Sequence, residues 1–349
     1  MALRLALETS AARALGGLSR VARRGGGTTI PGKALWKLDP GAVDQLAARL
    51  PHGIAVMSAT NGKTTTTAMA AEILGGNHRL AWNRAGANLL SGIASALVVS
   101  RKADLGLFEV DEGALPEAMA RLRPRIVTLG NLFRDQLDRY GELEIVAERW
   151  RGAIAELPED TMLVVNADDP VVADLADGRN AALRFGLDDP AHARPSLQHA
   201  ADSKYCLRCG TAYDFAAAYV GHLGDYVCPN CGHRRPPLDV AARGIELRGL
   251  QASRFELTTP QGPVELELAL PGLYNVYNAT AAASLALAVG ASLVDVRDGL
   301  ARFSAAFGRF ERIRSGGSPS SCSSSRTPRG RTRSSGRWRR ASPPSSSSR

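Results

Sequence analysis

The chain has 349 residues, of which 44% are hydrophobic, an ordinary share for a globular protein. This length allows two domains, or one large domain with an insertion. The formal charge of +9 lies in the tail, because residues 314–349 hold nine of the 43 basic residues and none of the 34 acidic ones. The preceding residues balance at 34 basic and 34 acidic, so the charge does not indicate nucleic-acid binding by the body. No apolar run approaches the ~20 residues of a transmembrane helix.

Residues 1–50 are predicted to form a lead-in of one helix, a glycine turn in "RRGGGTTIPGKAL" and a second helix in "GAVDQLAARL". Strand-like apolar runs then alternate with helical stretches. We predict strands in "GIAVMSA", "LGLFEV", "RIVTLGNL" and "TMLVVNADDP", and helices in "TTTTAMAAEIL" and "ALPEAMARLRP". This alternation predicts an α/β fold with a mostly parallel sheet, in a domain spanning residues 51–313.

The segment "SATNGKTTTT" lies between a predicted strand and a predicted helix. Phosphate-binding loops need backbone N–H groups, a lysine that reaches the phosphates and a hydroxyl for Mg²⁺. Met57 stands where the general pattern has its first glycine, and a polar helix start is the alternative interpretation. The strand–loop–helix context favours nucleotide binding. The candidate nucleotide contacts are Thr60, Asn61, Gly62, Lys63, Thr64 and Thr65.

Four cysteines are spaced as C-x2-C-x18-C-x2-C within residues 200–237: Cys206, Cys209, Cys228 and Cys231. Two such pairs offer four thiolates to one tetrahedral metal ion. The spacing predicts a structural zinc ribbon inserted into the domain. Four unrelated free thiols are the alternative interpretation, and a ribbon that binds nucleic acid is another.

Beyond the insertion, "GIELRGL", "RFELTTP" and "VELELAL" predict antiparallel strands, and "NVYNATAAASLALAVG" predicts a long helix. Residues 314–349 include 14 serines and almost no aliphatic side chains. A segment of this composition cannot bury a core, so we expect it to be disordered.

These motifs resemble those of the Mur ligase family, in the same order. "SATNGKTTTT" is similar to the family's "TGTNGKTTT" loop, and "FEVDE" places Glu109 where these enzymes have a Mg²⁺-binding glutamate. "TLGNLFRDQLDRYGE", "VVNADDP", "GLYNVYNATAAASLA" and "FGRFERI" resemble later family motifs. The resemblance implies that Asn275 and Asn278 lie near the adenine and that Arg309 belongs to the nucleotide site.

The resemblance also implies roles for three polar residues of the loop region. Lys63 and Glu109 would be catalytic, and Thr64 and Glu109 would bind magnesium. Two positions depart from the family pattern. Ala59 replaces a common loop glycine, a small change compatible with the turn. Gln136 stands where many members have a histidine near a second metal, which puts the second Mg²⁺ in question, although an amide oxygen can coordinate magnesium.

A four-cysteine insertion in such a domain resembles the MurT-type subunit of lipid II isoglutaminyl synthase. This resemblance implies an ATP-dependent carbon–nitrogen ligase of peptidoglycan biosynthesis. ATP would phosphorylate the α-carboxylate of D-glutamate in lipid II, and ammonia from a GatD-type glutaminase partner would convert it to D-isoglutamine. The implied cofactors are ATP, Mg²⁺ and structural Zn²⁺. The implied location is the cytoplasm, at the inner face of the cell membrane, with no nucleic-acid partner.

The tail has three competing interpretations: an arginine–serine arm, a flexible linker, or a frameshift product. One choice of codons for "SRTPRGRTRSSGRW" gives "KNPAGANEVLRTL" in a shifted frame, which resembles the expected start of the family's C-terminal domain. We favour the frameshift, which would leave the partner-binding domain out of this chain. The alternative functions are another Mur-like peptide or folate ligase, an inactive ATP-binding remnant, and a nucleic-acid-binding ribbon protein.

Overall fold

The computed structural model describes residues 5, 7–14, 29–39, 41–134, 143–194, 197, 202–303, 311–315 and 318–322. The chain divides into two compact units, Met1–Phe307 and Gly308–Arg349. Within the described residues no helix is long and apolar enough to cross a membrane.

One sheet organises the first unit, and its described part has nine strands in the order β11-β10-β9-β6-β5-β4-β1-β3-β2. The strands are β1 (Ile54–Ser58), β2 (Leu80–Trp82), β3 (Leu105–Glu109), β4 (Ile126–Leu129), β5 (Met162–Asn166), β6 (Ala182–Leu187), β9 (Val240–Arg248), β10 (Ala252–Thr259) and β11 (Gly262–Leu268). A separate hairpin contains β7 (Asp214–Val220) and β8 (Leu223–Val227). Neighbouring strands from β2 to β9 run parallel, whereas β10 and β11 add an antiparallel edge. The predicted α/β fold with a mostly parallel sheet is confirmed.

Helices cover both faces of this sheet. They are α1 (Ile30–Leu38), α2 (Ala42–Ala47), α3 (Lys63–Leu74), α4 (Leu90–Val99), α5 (Leu115–Leu122), α6 (Leu143–Ala155), α7 (Pro170–Asp174), α8 (Leu273–Val289) and α9 (Leu293–Arg302), and residues 7–14 are also helical. Short 3₁₀ turns span Arg84–Gly86 and Pro190–His192. Helices α3, α8 and α9 pack together, while α1 packs on α4 and α5 packs on α6.

The main core lies between the strands and the helices α1, α2, α4, α5 and α6. Strand residues such as Val56, Phe108 and Val127 are fully buried against helix residues such as Ile93 and Trp150. Strands buried on both faces are typical of parallel sheets covered by helices. This rigid centre brings the carboxyl ends of β1, β3 and β4 to one edge, where the loops that follow them meet.

Two segments, one in the lead-in and one after the insertion, differ from the sequence-based expectation. The segment predicted as a glycine turn contains α1, because Pro31 stands near the first helical position, where it needs no backbone hydrogen bond. Gly32 lies where α1 meets α4, and its N–H donates to the Ser95 hydroxyl at 2.7 Å. Strand β9 is antiparallel to β10 as expected, but it runs parallel to β6 on its other side.

The second unit contains one hairpin among its described residues. Strand β12 (Glu311–Ser315) pairs antiparallel with β13 (Ser318–Cys322). Part of this hairpin belongs to the tail predicted to be disordered from Arg314, and the disorder of that tail stays a prediction. The pairing of these strands is made by backbone hydrogen bonds, which a segment rich in serine can form without an apolar core. The rest of the tail lies outside the described residues, and its origin by frameshift stays a hypothesis.

Candidate functional site

The candidate phosphate loop connects β1 to α3. Gly62 has φ +85°, a left-handed conformation that favours glycine. A Cβ added to Gly62 would also overlap the side-chain amide of Asn278. The loop therefore needs glycine at this position for two reasons, its backbone conformation and its approach to α8.

Ala59 fits the loop. Among the described residues other than glycine, only Arg123 has a positive φ, so Ala59 has an ordinary backbone conformation. Its methyl group is fully buried next to Gly130, where an added Cβ would lie 2.8 Å away. The absence of a side chain at Gly130 makes room for the alanine.

The start of α3 faces this loop. Gly62 has no side chain to cap the helix, and the first intrahelical bond joins the Thr66 N–H to the Gly62 carbonyl at 2.9 Å. N–H groups in the first turn of a helix lack intrahelical acceptors and attract anions. Thr65 is buried in this turn. The geometry suits a phosphate group.

Lys63 lies at the centre of the loop and is buried. Its Nζ donates to the Thr60 carbonyl at 3.1 Å, to the Ala59 carbonyl, and to Glu112 Oε2 at 2.8 Å. Glu112 is also buried, and its carbonyl accepts a hydrogen bond from the Trp150 indole at 2.9 Å. The lysine is thus held toward the loop by a buried ion pair.

Thr64 and Glu109, the predicted magnesium ligands, lie together. The Thr64 hydroxyl donates to Glu109 Oε1 at 3.1 Å. Buried Asn83 fixes the Glu109 backbone with two hydrogen bonds, of 2.7 Å to its carbonyl and 2.9 Å from its N–H. A hydroxyl and a carboxylate form an oxygen donor set that suits Mg²⁺, which usually keeps several waters. The residues therefore fit the ion, and its binding stays a prediction.

Asn131, which follows β4, orders the outer half of the loop. Its carbonyl accepts from the Thr60 N–H at 2.8 Å, and its side-chain oxygen accepts from the Asn61 N–H at 2.9 Å. Its side-chain nitrogen donates to the Asn61 carbonyl at 3.1 Å. These contacts fix the loop against the neighbouring strand.

Asn275 and Asn278 lie on the first turns of α8. Asn275 donates to the Pro271 carbonyl at 2.8 Å and accepts from Asn278 at 3.2 Å. The Asn278 oxygen also accepts from the Thr66 hydroxyl at 3.3 Å. Asn278 therefore contacts the phosphate loop directly, and its predicted role near the adenine stays a prediction. Arg309 and Gln136 lie outside the described residues.

A buried acidic pair follows β5. Asp168 accepts hydrogen bonds from the Leu187 N–H at 2.8 Å, the Tyr277 hydroxyl at 2.6 Å and Arg235 Nη1 at 2.9 Å. Burial raises the pKa of Asp168 to about 6, against the opposing charge of Arg235. Burial and the nearby Asp168 carboxylate hold the pKa of Tyr277 well above its ordinary value, so its hydroxyl remains a donor.

The four predicted zinc ligands converge. The sulfur atoms of Cys206, Cys209, Cys228 and Cys231 all lie within 4.8 Å of one another. Two sulfur pairs, Cys206–Cys231 and Cys209–Cys228, are 3.4 Å apart, and all four residues are free thiols. Tetrahedral zinc with Zn–S bonds of ~2.3 Å has sulfurs ~3.8 Å apart. Hydrogen bonds from Thr211 lower the pKa of Cys209, whereas contacts with the neighbouring thiols raise the pKa of Cys231.

Each cysteine pair lies on a turn suited to a metal knuckle. The Gly210 N–H donates to the Cys206 carbonyl at 2.8 Å, and the Gly232 N–H donates to the Cys228 carbonyl at 3.0 Å. Both glycines have left-handed φ values, +73° and +74°. The cysteines fit a structural zinc site with four protein ligands, and zinc binding itself stays a prediction.

Residues 58–230 match the Mur ligase middle domain model. The chain contains a Mur ligase middle domain. Its phosphate loop, the Glu109 segment and most of the four-cysteine insertion lie within the matched residues, while α8 lies beyond them.

Two relatives share most of this chain. The MurT subunit of lipid II isoglutaminyl synthase (glutamine-hydrolyzing) from Streptococcus pneumoniae R6 is 30% identical over 296 residues, 83% of this chain and 64% of that protein. The subunit of the same name from Staphylococcus aureus N315 is 29% identical over 289 residues, 82% of this chain and 63% of that protein. The chain thus spans less than two thirds of the length of these relatives.

Among solved structures, a pseudomurein peptide ligase type C from Methanothermus fervidus is similar, with a TM-score of 0.65 and 25% identity. The similarity covers 78% of this chain and 53% of that one. It agrees with the mostly parallel sheet described above.

Several residues of the site are not among those predicted from the sequence. Glu112 belongs to the quoted "FEVDE" motif, and Asn131 belongs to the quoted segment after β4, so both had a signal in the sequence. Asn83 and Arg235 had no such signal, because their partners are distant in the sequence and known only from the fold.

Proposed function

We propose that this chain binds Mg-ATP at the loop before α3 and activates a carboxylate, as a MurT-type ligase subunit. The observation that carries the proposal is the arrangement at the end of β1. Gly62, in a left-handed conformation, precedes the first turn of α3, and the neighbouring Lys63 is buried. The hydroxyl of Thr64, in the same turn, lies 3.1 Å from Glu109 Oε1. These are the parts that phosphoryl transfer requires.

The proposed reaction has two steps. The α-carboxylate oxygen of D-glutamate in lipid II attacks the γ-phosphorus of ATP, which forms an acyl phosphate and releases ADP. Ammonia then attacks the carbonyl carbon, phosphate leaves with the bonding electrons, and the ammonium intermediate loses a proton to give D-isoglutamine. No protein nucleophile takes part in either step.

The residues contribute charge and position. Lys63 would reach the β- and γ-phosphates, and Glu112 would hold its ammonium group in the loop. Magnesium held by Thr64 and Glu109 would neutralise charge on the transferring group. Thr60, Asn61, Gly62 and Thr65 would line the phosphates, while Asn275, Asn278 and Arg309 would contact the rest of the nucleotide.

The substrate and partner are proposed from the relatives. Their names specify lipid II as substrate, glutamine hydrolysis and a subunit assembly. We therefore propose lipid II as the substrate, a GatD-type glutaminase as the source of ammonia, and the inner face of the cell membrane as the place of reaction. Nucleic acid has no part in this scheme, since residues 1–313 carry no net charge.

The test supplies the full chain with Mg-ATP, lipid II and an ammonium salt, and separately with glutamine and the glutaminase subunit. We expect ADP release and amidated lipid II, and we expect hydroxylamine to trap the acyl phosphate as a hydroxamate. Glu109→Gln should reduce all three signals together. If the chain releases ADP with a free amino acid but not with ammonia, it is a different Mur-like ligase. If it binds Mg-ATP and forms neither hydroxamate nor amide, the ligase proposal is wrong.

A further inference from the structure

The cysteine insertion contacts the nucleotide site through Asp168. Arg235, four residues after the last cysteine of the insertion, donates to this fully buried carboxylate at 2.9 Å. On its other side, Asp168 accepts the Tyr277 hydroxyl at 2.6 Å. Tyr277 immediately precedes Asn278, whose side chain packs on Gly62. A single carboxylate thus connects the insertion to the residue that contacts the phosphate loop.

A second route passes through Asp169. His222, in the turn between β7 and β8, is fully buried, and its Nε2 lies 3.2 Å from Asp169 Oδ2. The same oxygen accepts the Leu132 N–H at 2.9 Å. The next residue, Phe133, lies against the His222 ring with centroids 4.6 Å apart, and its N–H donates to the Thr60 hydroxyl at 3.0 Å. This route also ends on the phosphate loop.

The insertion has little core of its own to maintain these contacts. Its cluster of buried residues consists of Cys206, Tyr213, Tyr226 and Cys228, and two of these are predicted zinc ligands. Segments of this size usually need a metal or disulfides to stay folded. If the insertion unfolded, Arg235 would leave a buried carboxylate without its cation, and such an uncompensated charge is strongly unfavourable. Asp168 would have to move, take up a proton or admit water, and Tyr277 would lose its fixed acceptor.

We propose that the four-cysteine ribbon is a metal-dependent support of the nucleotide loop, acting through Asp168–Tyr277 and Asp169–Phe133. Zinc bound by the cysteines keeps Arg235 and His222 in place, and these set the position of Asn278 and Thr60. Asp168, Asp169 and Tyr277 are positioning residues, because they act on the nucleotide through other side chains. The inference rests on the proposed nucleotide binding at this loop.

The first part of the test compares two tyrosines of the full chain. Tyr277→Phe removes the hydroxyl that contacts Asp168, and Tyr219→Phe removes a buried hydroxyl that accepts from the Asp189 N–H at 3.2 Å. Tyr277 lies on α8 and Tyr219 lies within the insertion, and each variant loses the hydroxyl of one buried tyrosine. We expect Tyr277→Phe to weaken the Kd for Mg-ATP by about five-fold or more, the lower range of allosteric coupling. Tyr219→Phe should leave the Kd unchanged.

The second part measures the Kd for Mg-ATP on zinc-loaded, chelator-treated and zinc-restored protein, with folding followed by circular dichroism. Affinity should fall on zinc removal and return with zinc. Because part of the effect of zinc passes through Tyr277, the loss of affinity on zinc removal should be smaller in Tyr277→Phe than in the wild type.

The outcomes separate the two proposals. If zinc-free protein keeps the folded sheet and binds Mg-ATP with unchanged Kd, the ribbon does not support the loop and the inference is wrong. Equal effects of the two tyrosine substitutions would also overturn it. If the zinc-loaded wild type binds no nucleotide, the proposed function itself fails, and this inference fails with it.

Discussion

The phosphate loop and the cysteine ribbon achieve fixed geometry by different means. The loop is held by side chains from several elements on a sheet with a large buried core, including Asn131, Glu112 and Asn278. In the described part of the ribbon, the buried cluster beside the thiols is small and consists of Cys206, Tyr213, Tyr226 and Cys228. We expect the sheet to fold from apolar burial and propose that the ribbon depends on metal coordination.

Zinc removal should produce the largest difference in local stability between the cysteine ribbon and the sheet that carries the phosphate loop. Structural zinc contributes roughly 10–16 kcal/mol to the folding of zinc-finger peptides, so the ribbon should open without it. We expect chelation to raise amide hydrogen exchange across residues 206–235, while β1, β3 and β4 stay protected. Loss of protection in all of these strands at once would mean that the sheet depends on the metal as much as the ribbon does.

The stability contributed by Asp168, which joins the ribbon to the sheet, should depend on pH. Burial raises the pKa of Asp168 from its ordinary value of 3.8 to about 6. Because the folded state then binds this proton more tightly, the stability that Asp168 contributes is lost as the pH rises from about 4 to about 6. The unfolding free energy of the wild type relative to Asp168→Asn should decrease by about 3 kcal/mol across that interval, from 1.36 kcal/mol per pKa unit. Chemical denaturation of both proteins at several pH values measures this, and parallel profiles would contradict it.

Two glycines test how tightly the loop is packed. Gly62 (φ +85°) and Gly178 (φ +73°) both have left-handed conformations, but only Gly62 faces a side chain, since nothing lies within 4 Å of a Cβ added at Gly178. Both alanine substitutions should lose about 1–2 kcal/mol from backbone strain. Gly62→Ala should lose about 1–3 kcal/mol more by displacing Asn278, and should weaken Mg-ATP binding. Equal losses of stability for the two variants in thermal unfolding would contradict this, because they would show that the Asn278 side chain moves aside without a measurable cost.

The sequence predicted those parts whose signals are local. Gly62, Lys63 and Thr64 are consecutive between a strand and a helix, and the cysteine spacing places each pair on one turn. Glu109 could be selected because it ends a strand in a recognisable motif. Seven of the nine described strands of the sheet were likewise predicted from their apolar or alternating residues, whereas β2 and β6 were not.

The remaining features depend on contacts between distant segments. The Lys63–Glu112 pair joins residues 49 positions apart, and the Asp168–Tyr277 contact joins residues 109 apart. Neither pairing can be predicted from local sequence, although Glu112 itself lies in the quoted "FEVDE" motif. Helix α1 was missed because glycines precede it, and its stability comes from packing on α4. The β12–β13 hairpin was not predicted, because a composition rich in serine and arginine says nothing about backbone pairing.

The most direct test of the central claim is calorimetric titration of Mg-ATP into the wild type, Thr64→Val and Thr67→Val. Thr64 contacts Glu109, whereas the Thr67 hydroxyl donates to the Lys63 carbonyl inside the same helix at 2.9 Å. We predict Mg²⁺-dependent binding by the wild type and Thr67→Val, and a Kd weaker by about ten-fold or more in Thr64→Val, the usual range for loss of a metal-site partner. Nucleotide binding that is equal in all three proteins, or absent from the wild type, would contradict the account.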